Sequence, residues 1–211
     1  MSYSEFALET AQKTFQLDTV RSLGLFSEIE PVEPSTYLTM GLARKASLAT
    51  AIGTEKARSE LIVADVLVDL LQHFDHSISL FSGIEFNVDA EKGLTGVCDF
   101  LVSLSPEQFY LESPIIVLVV AKNLDLKLGI GQCVAEMLAA QRFNAEKGND
   151  IPTVYGASTT GLNGYFSSCK ESVYNLICQP IRLSGVTESS ESLPAWYHKR
   201  RDLSSGFIVK S

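Results

Sequence analysis

Two side chains of opposite charge stand where a folded chain seldom leaves them alone. Asp99 lies inside the strand-like run Val97-Cys98-Asp99-Phe100-Leu101, and an acid among such neighbours needs a partner or a cation nearby. Lys122 closes an unbroken apolar or small run from Ile115 to Ala121, and a lysine is almost never fully buried without a partner. If the two runs are neighbouring strands, they bring a carboxylate and an ammonium to one edge of a sheet. The stretch that follows adds Gln132 and Glu136 at helical spacing, one turn apart. The site to look for is therefore an acidic one that meets Lys122 at the end of its strand.

These residues need elements to hold them, and the chain supplies the signals. Residues 79–88 and 95–103 read as two strands joined by DAEKGL, where Gly93 suits a hairpin turn. After the polar connection PEQFYLESP, the run 115–121 has the continuous apolar character of a central strand buried on both faces. Beyond Gly129 and Gly131 a helix is expected from about Gln132 to Lys147, followed by strands at 151–157, 163–168 and 175–183. The first third is helical in pattern. A short amphipathic helix is expected over 4–16, then an irregular stretch around Pro31 and Pro34. Ser35 is placed to cap a helix that runs to Ile52 and stops at Gly53. Thr54 and Glu55 then open another, with Leu61, Ile62, Ala64, Val66, Leu67, Leu70 and Leu71 on its buried side as far as Phe74 and Glu60, Asp65 and Asp69 elsewhere. The order predicts an α/β protein with a mixed central sheet flanked by helices. It forms one domain over 1–211: an N-terminal helical extension (1–53), a core (54–183) and a C-terminal tail (184–211).

Composition limits the function. With 211 residues, 45% of them hydrophobic and 20% charged, the chain is an ordinary globular protein. A formal charge of -8 argues against a broadly cationic nucleic-acid binder, although a local basic cleft is compatible with it. Cys98, Cys133, Cys169 and Cys178 form no CxxC pair and have no companion histidine at zinc spacing. Free thiols in a reducing cytoplasm are expected, rather than a zinc site or a disulfide framework. The start MSYSEFALE has neither a basic nor an apolar leader region, and no apolar run is long enough to span a bilayer. His73 and His76 have metal spacing but fall at a helix end, where histidine commonly meets the terminal carbonyls. The HKRR run at 198–201 reads as a solvated tail. There is no GxSxG elbow around Ser158, and no Walker or GxGxxG loop.

An aspartate on one strand, a lysine ending the next, and a glutamine and glutamate on the following helix resemble the PD-(D/E)XK nucleases, the restriction-endonuclease-like superfamily. The resemblance covers roughly residues 55–168. It is nearest to an uncharacterised bacterial branch whose central block reads like GLTGVCDF, ESPIIVLVVAKN, GQCVAEMLAAQRFN and IPTVYGASTTG here. It implies a Mg²⁺-dependent (or Mn²⁺-dependent) phosphodiesterase centre acting on DNA. Asp99 would bind the metal, and Lys122 would orient the attacking water and offset charge on the phosphate. Glu60 would be the acid of the preceding helix, and Gln132 the glutamine after the lysine.

One position departs from the motif. It asks for an acid two residues before the lysine, and Val120 stands there. Either Glu136 has taken over as the second metal ligand, or the site has decayed and the fold serves as a nucleic-acid-binding or protein-interaction module. A homo-oligomer is compatible with both. Glu112 is out of reach, about 25 Å along the strand. The plainer readings are that Lys122 snorkels from its strand, that Glu60 is a solvated first-turn acid and that Glu136 pairs with Arg142.

Overall fold

The computed structural model describes residues 1–20, 32–122 and 126–170, together with the strand at 173–182 without its side chains. Pro31, the side chain of Cys178, the tail from 184 and the HKRR run lie outside the described residues.

Local chemistry sets the helices of the first third. The Ser35 hydroxyl accepts from the Leu38 amide and caps α2 (Thr36–Ile52), and Gly53, with φ of 71°, ends it in the left-handed region. Thr54 caps α3 (Glu55–Arg58), which passes through one π-helical turn (Ser59–Val63) into α4 (Ala64–His73). Asp69 on α4 bonds both the amide and the hydroxyl of Ser35, tying the start of α2 to α4. His76 lies past the end of α4 with φ of 56°, so the two histidines do not share a helix face.

Among the described residues, seven strands form one mixed sheet. They are β1 (Asp18–Val20), β2 (Ser79–Glu85), β3 (Val97–Ser103), β4 (Ile115–Ala121), β5 (Thr153–Thr159), β6 (Asn163–Lys170) and β7 (Val173–Arg182), in the order β1-β7-β6-β5-β4-β3-β2. The expected hairpin is present, with Gly93 at φ of 75° in its turn. The apolar run 115–121 is a central strand, antiparallel to β3 and parallel to β5. A parallel neighbour needs a crossover, and α5 (Leu126–Glu146) provides it. Alternation along β4 separates two cores. Leu118 and Val120 join Leu101 in a core with α5, whereas Val117 and Val119 join Phe100 and Val102 in a core with α4. A third, smaller core holds α2 through Leu38, Leu42 and Ala49 against Ile62 and Val66.

Two features differ from the sequence expectation. Residues 1–20 are built into the core rather than appended to it. Tyr3, Phe6 and Ala11 are buried with the α5 side chains, and β1 pairs in parallel with β7. In addition, α5 begins before Gly129 and Gly131, which the sequence suggested were loop. Both glycines are helical because other chain segments press on them. A Cβ on Gly131 would stand 2.3 Å from the Phe6 carbonyl oxygen, and one on Gly129 would stand 2.2 Å from Ser158 Oγ. Every residue from Gly129 to Ala140 is buried, as expected of a helix enclosed on all sides. Gly131→Ala should therefore destabilise the protein by about 3 kcal/mol, the upper part of the usual overpacking range, although alanine is the better helix former. Urea denaturation measures this, and a neutral or stabilising change would contradict the close approach.

Candidate functional site

The described pairing of β3 with β4 ends at Phe100↔Val119. Beyond it, the Asp99 carboxylate takes the place of a backbone acceptor, with Oδ2 receiving the Ala121 amide at 2.8 Å. On the other side, the Lys122 amide donates to the Thr159 carbonyl at 2.8 Å, so the chain stays on β5 for one residue past the strand. Lys122 is thus pinned between its two neighbour strands. Its side chain is only 20% exposed, and Nζ lies 3.6 Å from Glu55 Oε1 at the start of α3. Burial raises the Asp99 pKa, while the Ala121 amide and then the Lys122 ammonium oppose the rise.

Glu136 approaches the same place from α5. It is 0% exposed, unusual for an acid. Gln132 Nε2 donates to its Oε1 at 2.9 Å, and its Oε2 is buried without a hydrogen-bond partner. Burial pushes its pKa up to about 8, and the negative charge of Asp99 adds to the rise. Gln132, Lys122 and the Cys98 thiol oppose it. The phenol of Tyr3 and the thiols of Cys98 and Cys133, packed around this carboxyl, are pushed up as well, chiefly by burial. The Tyr3 hydroxyl donates to the Phe86 carbonyl at 2.7 Å and so closes the N-terminal segment over this region.

Two contacts are direct, Gln132 to Glu136 and Asp99 to the amide beside Lys122, and the Glu136 carboxyl feels the charges of Asp99 and Lys122. Glu60 is elsewhere. It pairs with Lys56 at 2.6 Å on the exposed face of the helix, with 58% of its side chain in solvent. The acid that this helix turns toward the lysine is Glu55, one turn earlier. The sequence marked Glu55 only as a helix start, since a first-turn acid is unremarkable beside an N-cap. Glu136 does not pair with Arg142, whose guanidinium bonds Asp89 instead. Glu112 accepts from Ser105 near the opposite end of β4. Val120 is fully buried beside Leu118, so the position that lacks an acid is packed as hydrocarbon.

The donor set suits a hard divalent cation, though sparsely. The orphaned Oε2 of Glu136 and the neighbouring Asp99 offer oxygen ligands, and Mg²⁺ commonly takes only one or two carboxylates while keeping several waters. Among the described residues, no group of three or more His, Cys, Asp and Glu side chains converges to hold a metal ion, so such a site would rest on two carboxylates. Among the same residues, no helix is long and apolar enough to cross a membrane. No protein-family model matches the chain, and no curated protein or solved structure matches it either.

Proposed function

We propose that this chain is a nuclease-like protein of the PD-(D/E)XK kind whose phosphodiesterase centre is reduced to two carboxylates, Asp99 and Glu136, with Lys122 as its cation and DNA as its substrate. One observation carries the reading: a fully buried glutamate keeps an unpartnered oxygen while interacting with Asp99 and Lys122. A purely structural glutamate in such a core would be costly and would have been better replaced by a hydrocarbon.

The roles follow from position. Asp99 and Glu136 would hold Mg²⁺ or Mn²⁺, which when bound supplies Lewis-acid polarisation of the phosphoryl group. Gln132 fixes the Glu136 carboxyl by its bond to Oε1. Lys122, tethered through its backbone to β5 and opposed by Glu55, offsets charge that grows on the phosphate. Tyr3, Cys98 and Cys133 are buried in the core that α5 shares, and Glu136 on that helix is itself shut off from solvent. The described cysteines are free and buried, which suits a reducing compartment such as the cytoplasm.

A second reading, a nuclease fold that binds without cleaving, draws on Val120. Its apolar packing removes the most demanding ligand of the motif. Metal titration separates the two. If the centre is intact, saturation to about ten times Kd should stabilise the wild type by about 1.4 kcal/mol, a rise of a few degrees in Tm for a chain of this size. Glu136→Gln should lose the shift. A wild type whose melting is unmoved by millimolar Mg²⁺ and Mn²⁺ would leave only the non-catalytic reading.

A further inference from the structure

We infer that Arg58 is a phosphate-positioning residue, holding a nucleic-acid backbone phosphate that neighbours the scissile one. This rests on the phosphodiesterase reading and gives it a substrate contact outside the metal centre.

The placement of Arg58 is specific. It ends α3, one turn after Glu55, the residue whose carboxylate reaches Lys122. Its Nη1 donates to the Thr160 carbonyl at 3.2 Å, next in sequence to the Thr159 carbonyl that receives the Lys122 amide. The Arg58 side chain and the Lys122 backbone are therefore tied to consecutive carbonyls of one turn. That turn is itself rigid. Thr159 and Thr160 are locked to Asn163, and Gly161, at φ of 83°, lies so close to Ile62 that an added Cβ would stand 3.1 Å from it. Helix and turn clamp the arginine stem between them.

Among the described residues the guanidinium has no carboxylate partner. Its Nε is buried with no hydrogen-bond partner. A half-buried arginine with no described counter-charge has donors left to offer an anion. Arginine offers its donors as a planar fork that matches two phosphate oxygens, which a lysine cannot do. A structural tie to Thr160 uses one donor and leaves the rest of the fork unexplained. A phosphodiester beside the Lys122 site would neutralise it.

The test is binding of a fluorescent DNA duplex, followed by anisotropy across a salt series, once with EDTA and once with Ca²⁺ as a non-cleaving cation. Arg58→Gln should weaken binding about tenfold at low salt and make the slope of log K against log salt shallower by about one phosphate contact. Arg58→Lys should keep the slope while losing part of the affinity. Inorganic phosphate at the same ionic strength should compete only weakly if the ligand is a nucleic-acid backbone; full competition at low millimolar phosphate would assign the site to a free anion and overturn the inference. An Arg58→Gln protein that melts like the wild type and binds DNA with unchanged affinity and slope overturns it, as does a wild type that binds no DNA in either buffer. In that last case a metal-dependent rise in Tm would still leave the Asp99–Glu136 centre standing, so the two ideas fail separately.

Discussion

If the proposed centre is short of a ligand at position 120, Val120→Glu should raise metal-dependent DNA cleavage by at least tenfold over the wild type, about 1.4 kcal/mol or more of barrier, whereas a centre already completed by Glu136 should gain little. Val119 is the last β4 residue with a described β3 partner, Phe100, and the Asp99 carboxylate bonds the Ala121 amide just beyond it. A carboxylate at 120, next to that bonded amide, would give the proposed cation a third protein ligand. The same substitution should carry a penalty without metal. Val120 is fully buried against Leu118 and the α5 side chains, and an acid there should destabilise the apo protein by several kcal/mol. The expected signature is a lower Tm in EDTA that recovers on adding Mg²⁺ or Mn²⁺, together with plasmid cleavage that depends on the metal. Recovery of neither stability nor cleavage in a folded variant would mean that position 120 does not adjoin a cation site.

Glu136→Gln should stabilise the apo protein, and the gain should grow with pH. The folded-state pKa of Glu136 lies above its ordinary value, pushed up to about 8 by burial and by Asp99. Between the ordinary carboxylate range and pH 8 the native state therefore holds a proton that the unfolded chain has released. Stability contributed by this group is complete at acid pH, falls as pH rises through that window, and levels off above it. Each unit of displacement is worth about 1.4 kcal/mol, so removing the charge should gain on the order of a few kcal/mol near pH 9 and almost nothing near pH 4. Asp99, raised in the same direction, gives the wild type a further slope of the same sign. Melting curves of both proteins from pH 4 to 9 measure the difference. Parallel curves would show that Glu136 is not held as a buried acid. In the presence of metal the difference should narrow, because the glutamine variant loses a ligand along with its charge and gains no metal stabilisation, and cleavage by this variant should fall to background.

Much of the scaffold was legible because its signals are local. Ser35 and Gly53 bound α2 by capping chemistry that involves only neighbouring backbone, and the 115–121 run announces a doubly covered strand by its lack of polar residues. What was not legible depends on partners distant in sequence. Gly129 and Gly131 read as loop until Ser158 and the Phe6 carbonyl are seen to lie against them. β1 is only three residues long and has meaning only through β7. At the site, Asp99, Lys122, Gln132 and Glu136 were singled out in the sequence, and the structure bonds Gln132 to Glu136 and Asp99 to the amide beside Lys122. It does not gather Glu60, because α3 turns Glu55 toward the lysine and leaves Glu60 in solvent with Lys56. Nothing in the sequence showed that Glu136 would be sealed from water, since burial of an acid is decided by what packs on it, here Tyr3 and Cys98.

The pairing of β1 with β7 also governs how the molecule is made. Asp18–Val20 finds its place only beside Val173–Asn175, so more than 150 residues of chain separate the first strand from the partner it must join. Contacts of such long sequence separation slow the final step of assembly.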